Sequence, residues 1–159
     1  MEWFVKAFLK ASLAWLGAGV ALGLAMAVHP LWTVYRAVHL HMNLLGFVAM
    51  TIFGVAYHVI PRFTGHPLYS RRLAMVHWWT ANFGLALFSI GLAAQAHSAR
   101  FAALALGVGG TLSALGAFLF ILNVWRTIDG PRRRARPSVE LPGDVPPLAR
   151  GHRALSILE

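Results

Sequence analysis

The chain contains no cysteine among its 159 residues. Disulfides, thiolate metal sites and covalently attached c-type haem are thereby excluded. Charge is also sparse, at 12% of residues, about half the fraction of an ordinary soluble domain, which is ~25%. Acidic residues are the scarcest of all. Glu2, Asp129, Glu140, Asp144 and Glu159 are the full set, and none lies within an apolar stretch. That placement argues against a proton wire built on membrane carboxylates.

What the chain has in quantity is apolar sequence, 58% of it. The apolar residues fall into four blocks, 8–28, 37–60, 73–95 and 101–125, each close to the ~20 residues that cross a bilayer as a helix. The first block is longer than the core of a secretory signal. It ends in Val28-His29-Pro30 and not in a small-residue cleavage site, so it reads as a membrane helix. Its Gly17, Gly19 and Gly23 are small enough to admit a close neighbour. The second block is expected to end at Pro61, where a 61–72 loop with two prolines and Gly65 begins. Short connections predict an all-α, integral membrane, up-down four-helix bundle. Residues 1–128 form the membrane domain in this reading, and 129–159 form a basic, proline-rich tail. Within that tail, residues 131–149 hold five prolines and four arginines and cannot bury a core. Leu148–Glu159 suits a short amphipathic helix.

The net charge of +9 reads as a membrane signature here, not a nucleic-acid one. Four spans place the N-terminus, the 61–72 loop and the tail on one side. All of the lysines and arginines but Arg36 and Arg100 lie on that side. By the positive-inside rule both termini are expected in the cytoplasm of a prokaryotic cell, with the chain in its inner membrane. Arg132–Arg136 are placed to meet anionic headgroups or to act as a solvated flank.

Histidines are the ionisable groups left near the spans. His29, His39, His41 and His97 fall toward the non-cytoplasmic face, and His58, His66 and His77 toward the cytoplasmic one. His41 and His58 are separated by roughly 25 Å at helical rise, too far to share a metal. His39 and His41 point to opposite faces of a regular helix and suit two different neighbours. His66 and His97 are expected to be exposed. Across the cytoplasmic turn, His58 and His77 form a candidate second metal site, with Trp78 and Trp79 available to cover it.

The segment Arg36-Ala37-Val38, followed by His41-Met42-Asn43-Leu44-Leu45 and then Gly54-Val55-Ala56-Tyr57-His58-Val59-Ile60-Pro61, resembles the second membrane helix of haem–copper oxidase subunit I. The nitric oxide reductases and C-type cytochrome c oxidases are nearest in flavour. The resemblance covers residues 30–95 and, more loosely, the four-span topology. It implies that His41 is an axial ligand of a haem b. The later helices of that family, which carry the remaining haem and copper histidines, have no counterpart in this sequence. The resemblance therefore does not bring an intact reaction centre with it.

A haem at His41 also suits the local chemistry. Gly46 and Ala49 offer small faces, Phe47 and Phe53 aromatic walls, and Arg36 a cation for a propionate. A sixth ligand is available from His29, His39 or a second copy of the chain, and a homodimer of eight helices would enclose the group. The expected function is electron transfer or binding of a diatomic gas such as oxygen or nitric oxide. Its partners would be lipid, a second copy, and a respiratory electron donor or oxidase subunit. The alternative is a non-catalytic accessory or assembly subunit of a respiratory oxidase or nitric oxide reductase.

Overall fold

The computed structural model describes residues 2–130, and the described residues are mostly helical, without a strand. The tail features expected for 131–159, including the arginine run, His152 and the terminal amphipathic helix, lie outside the described residues. Four helical rods are long and apolar enough to cross a membrane. The protein is therefore an integral membrane bundle, as the four apolar blocks require.

Helix α1 spans Trp3–Val28. It stops at His29, whose φ of −120° and ψ of 94° are extended, because a residue preceding proline is pushed out of the α region. Pro30 then opens a 3₁₀ turn, Pro30–Tyr35, where its fixed φ and missing N–H are tolerated. The second rod is continuous but not uniform. It runs through α2 (Arg36–His41), a π-helical segment (Met42–Ala49) and α3 (Met50–Thr64).

Pro61 does not end this rod. Helix α3 carries it internally and continues to Thr64, one turn beyond the expected stop. Thr64 Oγ donates to the Ile60 carbonyl at 3.0 Å. The true terminator is Gly65, at a left-handed φ of 71°, a conformation glycine adopts without steric cost. Ser70 then caps α4 (Arg71–Ala96), its Oγ accepting from Leu73 N at 3.2 Å. A tight turn with Ser98 at φ 54° leads into α5 (Ala102–Ile128).

Helices α4 and α5 form the most intimate pair. A Cβ on Gly84 would lie 2.6 Å from Ser113 N, and one on Gly91 would lie 2.7 Å from Leu106 N. Gly109 meets the backbone of Phe88 in the same way. Three glycines thus bring two backbones together, which is how helices associate in a solvent as apolar as their own side chains. Helix α1 packs against the second rod on the other side. Gly46 lets Trp15 approach there, and Gly54 admits Phe8 and Leu9. Gly17 meets nothing and is not part of the seam. The buried core gathers Phe4, Phe8, Met50, Tyr57, Ala74, Ala81 and Leu85 near the end that carries the N-terminus.

Candidate haem-ligand face and buried polar chain

At the end carrying residues 29–41, the two histidines of the second rod part ways. His39 turns toward α1. Its Nδ1 lies 2.8 Å from the Gly19 carbonyl, so Nδ1–H is the donor. The ring fits because Gly23 has no side chain: a Cβ there would lie 2.8 Å from His39 Cε1. Asn43, one turn on, donates from Nδ2 to the His39 carbonyl at 2.8 Å and occupies the notch left by Gly19. His39 and Asn43 therefore hold α1 against the second rod.

His41 turns toward α4 instead. Its ring centroid lies 5.0 Å from that of Phe88. Its Nδ1 is 2.8 Å from the Ala37 carbonyl one turn back. A carbonyl can only accept, so Nδ1 carries the hydrogen, and in the neutral ring Nε2 keeps the lone pair. The side chain is half-buried, and its neighbours Leu40, Leu44, Leu45 and Val48 are exposed on the surface of the bundle.

The other residues of this end are arranged less tightly. His29 packs its ring near Trp32, with centroids 5.8 Å apart. Arg36 is exposed at the start of α2. His97 is exposed, as its loop position implied, and its Nε2 meets Tyr35 OH at 2.6 Å. Gly46, expected to offer a face to haem, is buried and covered: a Cβ there would lie 2.6 Å from Trp15 Cβ and 3.1 Å from Leu85. Its small size serves helix packing. Phe53 likewise turns into the core, against His77 and Phe120 at 4.7 and 4.6 Å.

The opposite end holds an unexpected polar organisation. His77 is fully buried among Phe8, Phe53 and Phe120, not under Trp78 and Trp79. Its Nδ1 meets Tyr57 OH at 3.0 Å. His58, the proposed companion of His77 in a metal site, instead accepts from Arg62 at Nδ1, 2.8 Å away. The two imidazoles thus engage different partners. Among the described residues no group of three or more histidines and carboxylates is placed to hold a metal ion.

His66 departs from expectation as well. It is buried, 7% exposed, because the 65–70 loop is folded against the end of α5. Its Nδ1–H donates to the Thr127 carbonyl at 3.0 Å. Thr127 Oγ accepts from Tyr69 N, and Asn123 exchanges two hydrogen bonds of 2.9 Å with the Ser70 backbone. Sequence reasoning assigned nothing to Asn123 and Thr127. The available signal was two polar residues four apart on one face of an otherwise apolar helix.

No protein-family model matches the chain. Comparison with curated proteins gives 28% identity over 138 aligned positions with cytochrome c oxidase subunit 1 of Rhodobacter capsulatus, covering 71% of this chain and 25% of that protein. A cbb3-type cytochrome c oxidase subunit of Stutzerimonas stutzeri is 33% identical over 87 positions, covering 51% of this chain and 18% of that one. The chain is partially homologous to the haem–copper oxidase subunit I family. It spans a quarter or less of the length of these oxidase relatives. Homology to the oxidase subunits and four membrane-length helices agree in making it a membrane protein.

Proposed function

We propose that this chain is a membrane b-type haem protein that carries electrons or binds a diatomic gas, with His41 as an axial ligand. The observation that carries the reading is the tautomer of His41. Its Nδ1–H is engaged by Ala37, which leaves Nε2 free as the donor atom, the usual state of a metal-ligating imidazole. The residues around it fit a haem edge in chemistry: Phe88 offers an aromatic surface, exposed leucines and Val48 an apolar one, and Arg36 an exposed cation for a propionate.

Enclosure is the part that a single copy does not provide. The His41 face lies on the outside of the bundle, while the His39 side is filled by α1. A second copy, or a larger oxidase subunit, would supply the other wall. The homodimer is the simpler case, with the sixth ligand drawn from His29 or from the partner's surface. His39 is already committed through Nδ1 to helix packing, although its Nε2 is not. Bound haem would supply one-electron chemistry at iron. The chain would supply the ligand atom, the apolar surroundings and the cation.

The test is an optical spectrum of the detergent-purified chain, oxidised and then reduced with dithionite, with and without carbon monoxide. Sharp reduced bands indifferent to carbon monoxide indicate six-coordinate iron and electron transfer. A carbon monoxide shift indicates an open position and gas binding. His41→Ala is expected to abolish the Soret band, and full haem content in that variant overturns the assignment. Absence of a Soret band in the native protein, even after haem is added, favours the accessory-subunit reading, in which the exposed His41 face docks on a respiratory complex.

A further inference from the structure

A vestibule of about 400 Å³ opens at the end of the bundle that carries the N-terminus. Three parts of the chain meet there: the start of α1, the end of the second rod with the loop after it, and the start of α4. Phe4, Val5 and Leu68 give it an apolar wall, while Glu2, His58, Arg62 and Arg71 give it a polar one. Trp3, Tyr69 and Trp125 are exposed at the same end, and these residue types settle at the headgroup level of a bilayer.

Three formal charges line the vestibule, and they do not cancel. Glu2 pairs with Arg71 at 2.8 Å, which leaves Arg62. The Nη1 of Arg62 donates to the carbonyl and to Nδ1 of His58, and both acceptors are neutral. A guanidinium carries five N–H groups and stays charged in a protein. One edge of Arg62 is thus fixed to its own helix, while Nε and Nη2 meet no acceptor among the described residues. Because His58 accepts at Nδ1, its neutral ring keeps the hydrogen on Nε2, a further donor among the lining residues. Lys6, Lys10, Arg72 and Arg126 belong to the same end but do not line the vestibule.

This balance selects an occupant with one negative charge. A phosphodiester has one, and its two free oxygens match the fork of a guanidinium. In a phospholipid it is joined to acyl chains, which suit the apolar wall and the headgroup depth. An uncharged quinone head would leave Arg62 uncompensated. Basic pockets between membrane helices hold anionic headgroups on the same principle. We infer that the vestibule binds the headgroup of an anionic phospholipid, with the phosphodiester held by Arg62 and by the edge of Arg71 that Glu2 does not take. The bound lipid fixes the depth of this end of the bundle in the bilayer. The inference is independent of what His41 binds.

The test is native mass spectrometry of the full chain released from nanodiscs containing phosphatidylglycerol and phosphatidylcholine in equal amounts. Phosphatidylglycerol is expected to stay bound in preference to phosphatidylcholine. Arg62→Gln is expected to cut that preference about fivefold, the effect of one basic residue near a lipid surface. Glu2→Gln frees Arg71 and is expected to raise the preference by a similar factor. Lys6→Gln removes an equal charge outside the vestibule and is expected to change it little. Equal retention of the two lipids overturns the inference. So does a loss in Lys6→Gln as large as that in Arg62→Gln, which marks general surface charge. Release of the lipid by millimolar inorganic phosphate overturns it in favour of a free anion. Stronger lipid retention in the double variant Glu140→Gln, Asp144→Asn overturns it in favour of the chain's own tail. If Arg62→Gln does not fold, the direction of the Glu2→Gln change decides.

Discussion

Two histidines separated by one residue illustrate how little residue type alone determines. His39 and His41 are both half-buried on the second rod, and each uses Nδ1 as a donor to a backbone carbonyl. The difference is whose carbonyl it is. His39 binds Gly19 on another helix, while His41 binds Ala37 on its own. Removing His39 therefore breaks a tertiary contact and empties the notch over Gly23, and removing His41 does neither. His39→Ala is expected to lose about 1 kcal/mol of stability or somewhat more. His41→Ala is expected to stay within ~0.5 kcal/mol of the native apoprotein. Unfolding of the haem-free chain by denaturant titration in mixed micelles separates the two. Equal losses would show that His39 does not hold α1. The opposite-face reading of this pair was legible from helical geometry. The burial of His66 was not, because proline and glycine neighbours mark a loop without saying what the loop folds against. The fate of Gly46 was hidden for the same reason: its partner, Trp15, lies 31 positions away in the sequence.

At the scale of elements, hydropathy located the four spans because membrane length and apolar composition are local properties. It could not show that the second rod changes helical type. Met42–Ala49 is π-helical, a wider winding that is rare and commonly found at functional positions. The segment lies between two fixed registers. On one side His39 and Asn43 fit the Gly19 and Gly23 notches; on the other, Gly54 and Tyr57 meet Phe8, Leu9 and Phe4. The wide turns absorb the angular mismatch between them. Inserting an alanine after Leu44 would add one residue to that winding, and at ~100° per residue one of the two registers must be lost. The insertion is expected to lower the unfolding midpoint far more than Leu44→Ala, whose side chain is exposed. Comparing thermal aggregation midpoints of the two variants checks this. Similar values would mean that the two flanking registers are not both fixed.

For the whole molecule, the distribution of cations and the topology together predict an orientation that the fold alone leaves open. The up-down path puts Lys6, Lys10, Arg62, Arg71, Arg72 and Arg126 at one end of the bundle, and Arg36 and Arg100 at the other. Short loops such as 65–70 and 97–101 are where the positive-inside rule has most force. The vestibule, with Arg62 and Arg71, is then expected to face the cytoplasm, and the His41 end to face away from it. Insertion energetics set this expectation, because neither end of the bundle distinguishes inside from outside by packing. A fluorescent protein fused after Glu159 is expected to fold and fluoresce, which requires the cytoplasm. Alkaline phosphatase inserted at Ser98, in the exposed turn before α5, is expected to be active, which requires export. Replacing Arg62, Arg71 and Arg72 with glutamine while adding arginines at 97–99 should weaken both signals, since the charge difference across the membrane is the only asymmetry being read. If both reporters give the reverse result in the native sequence, the His41 face lies toward the cytoplasm, and any electron donor must be sought on that side.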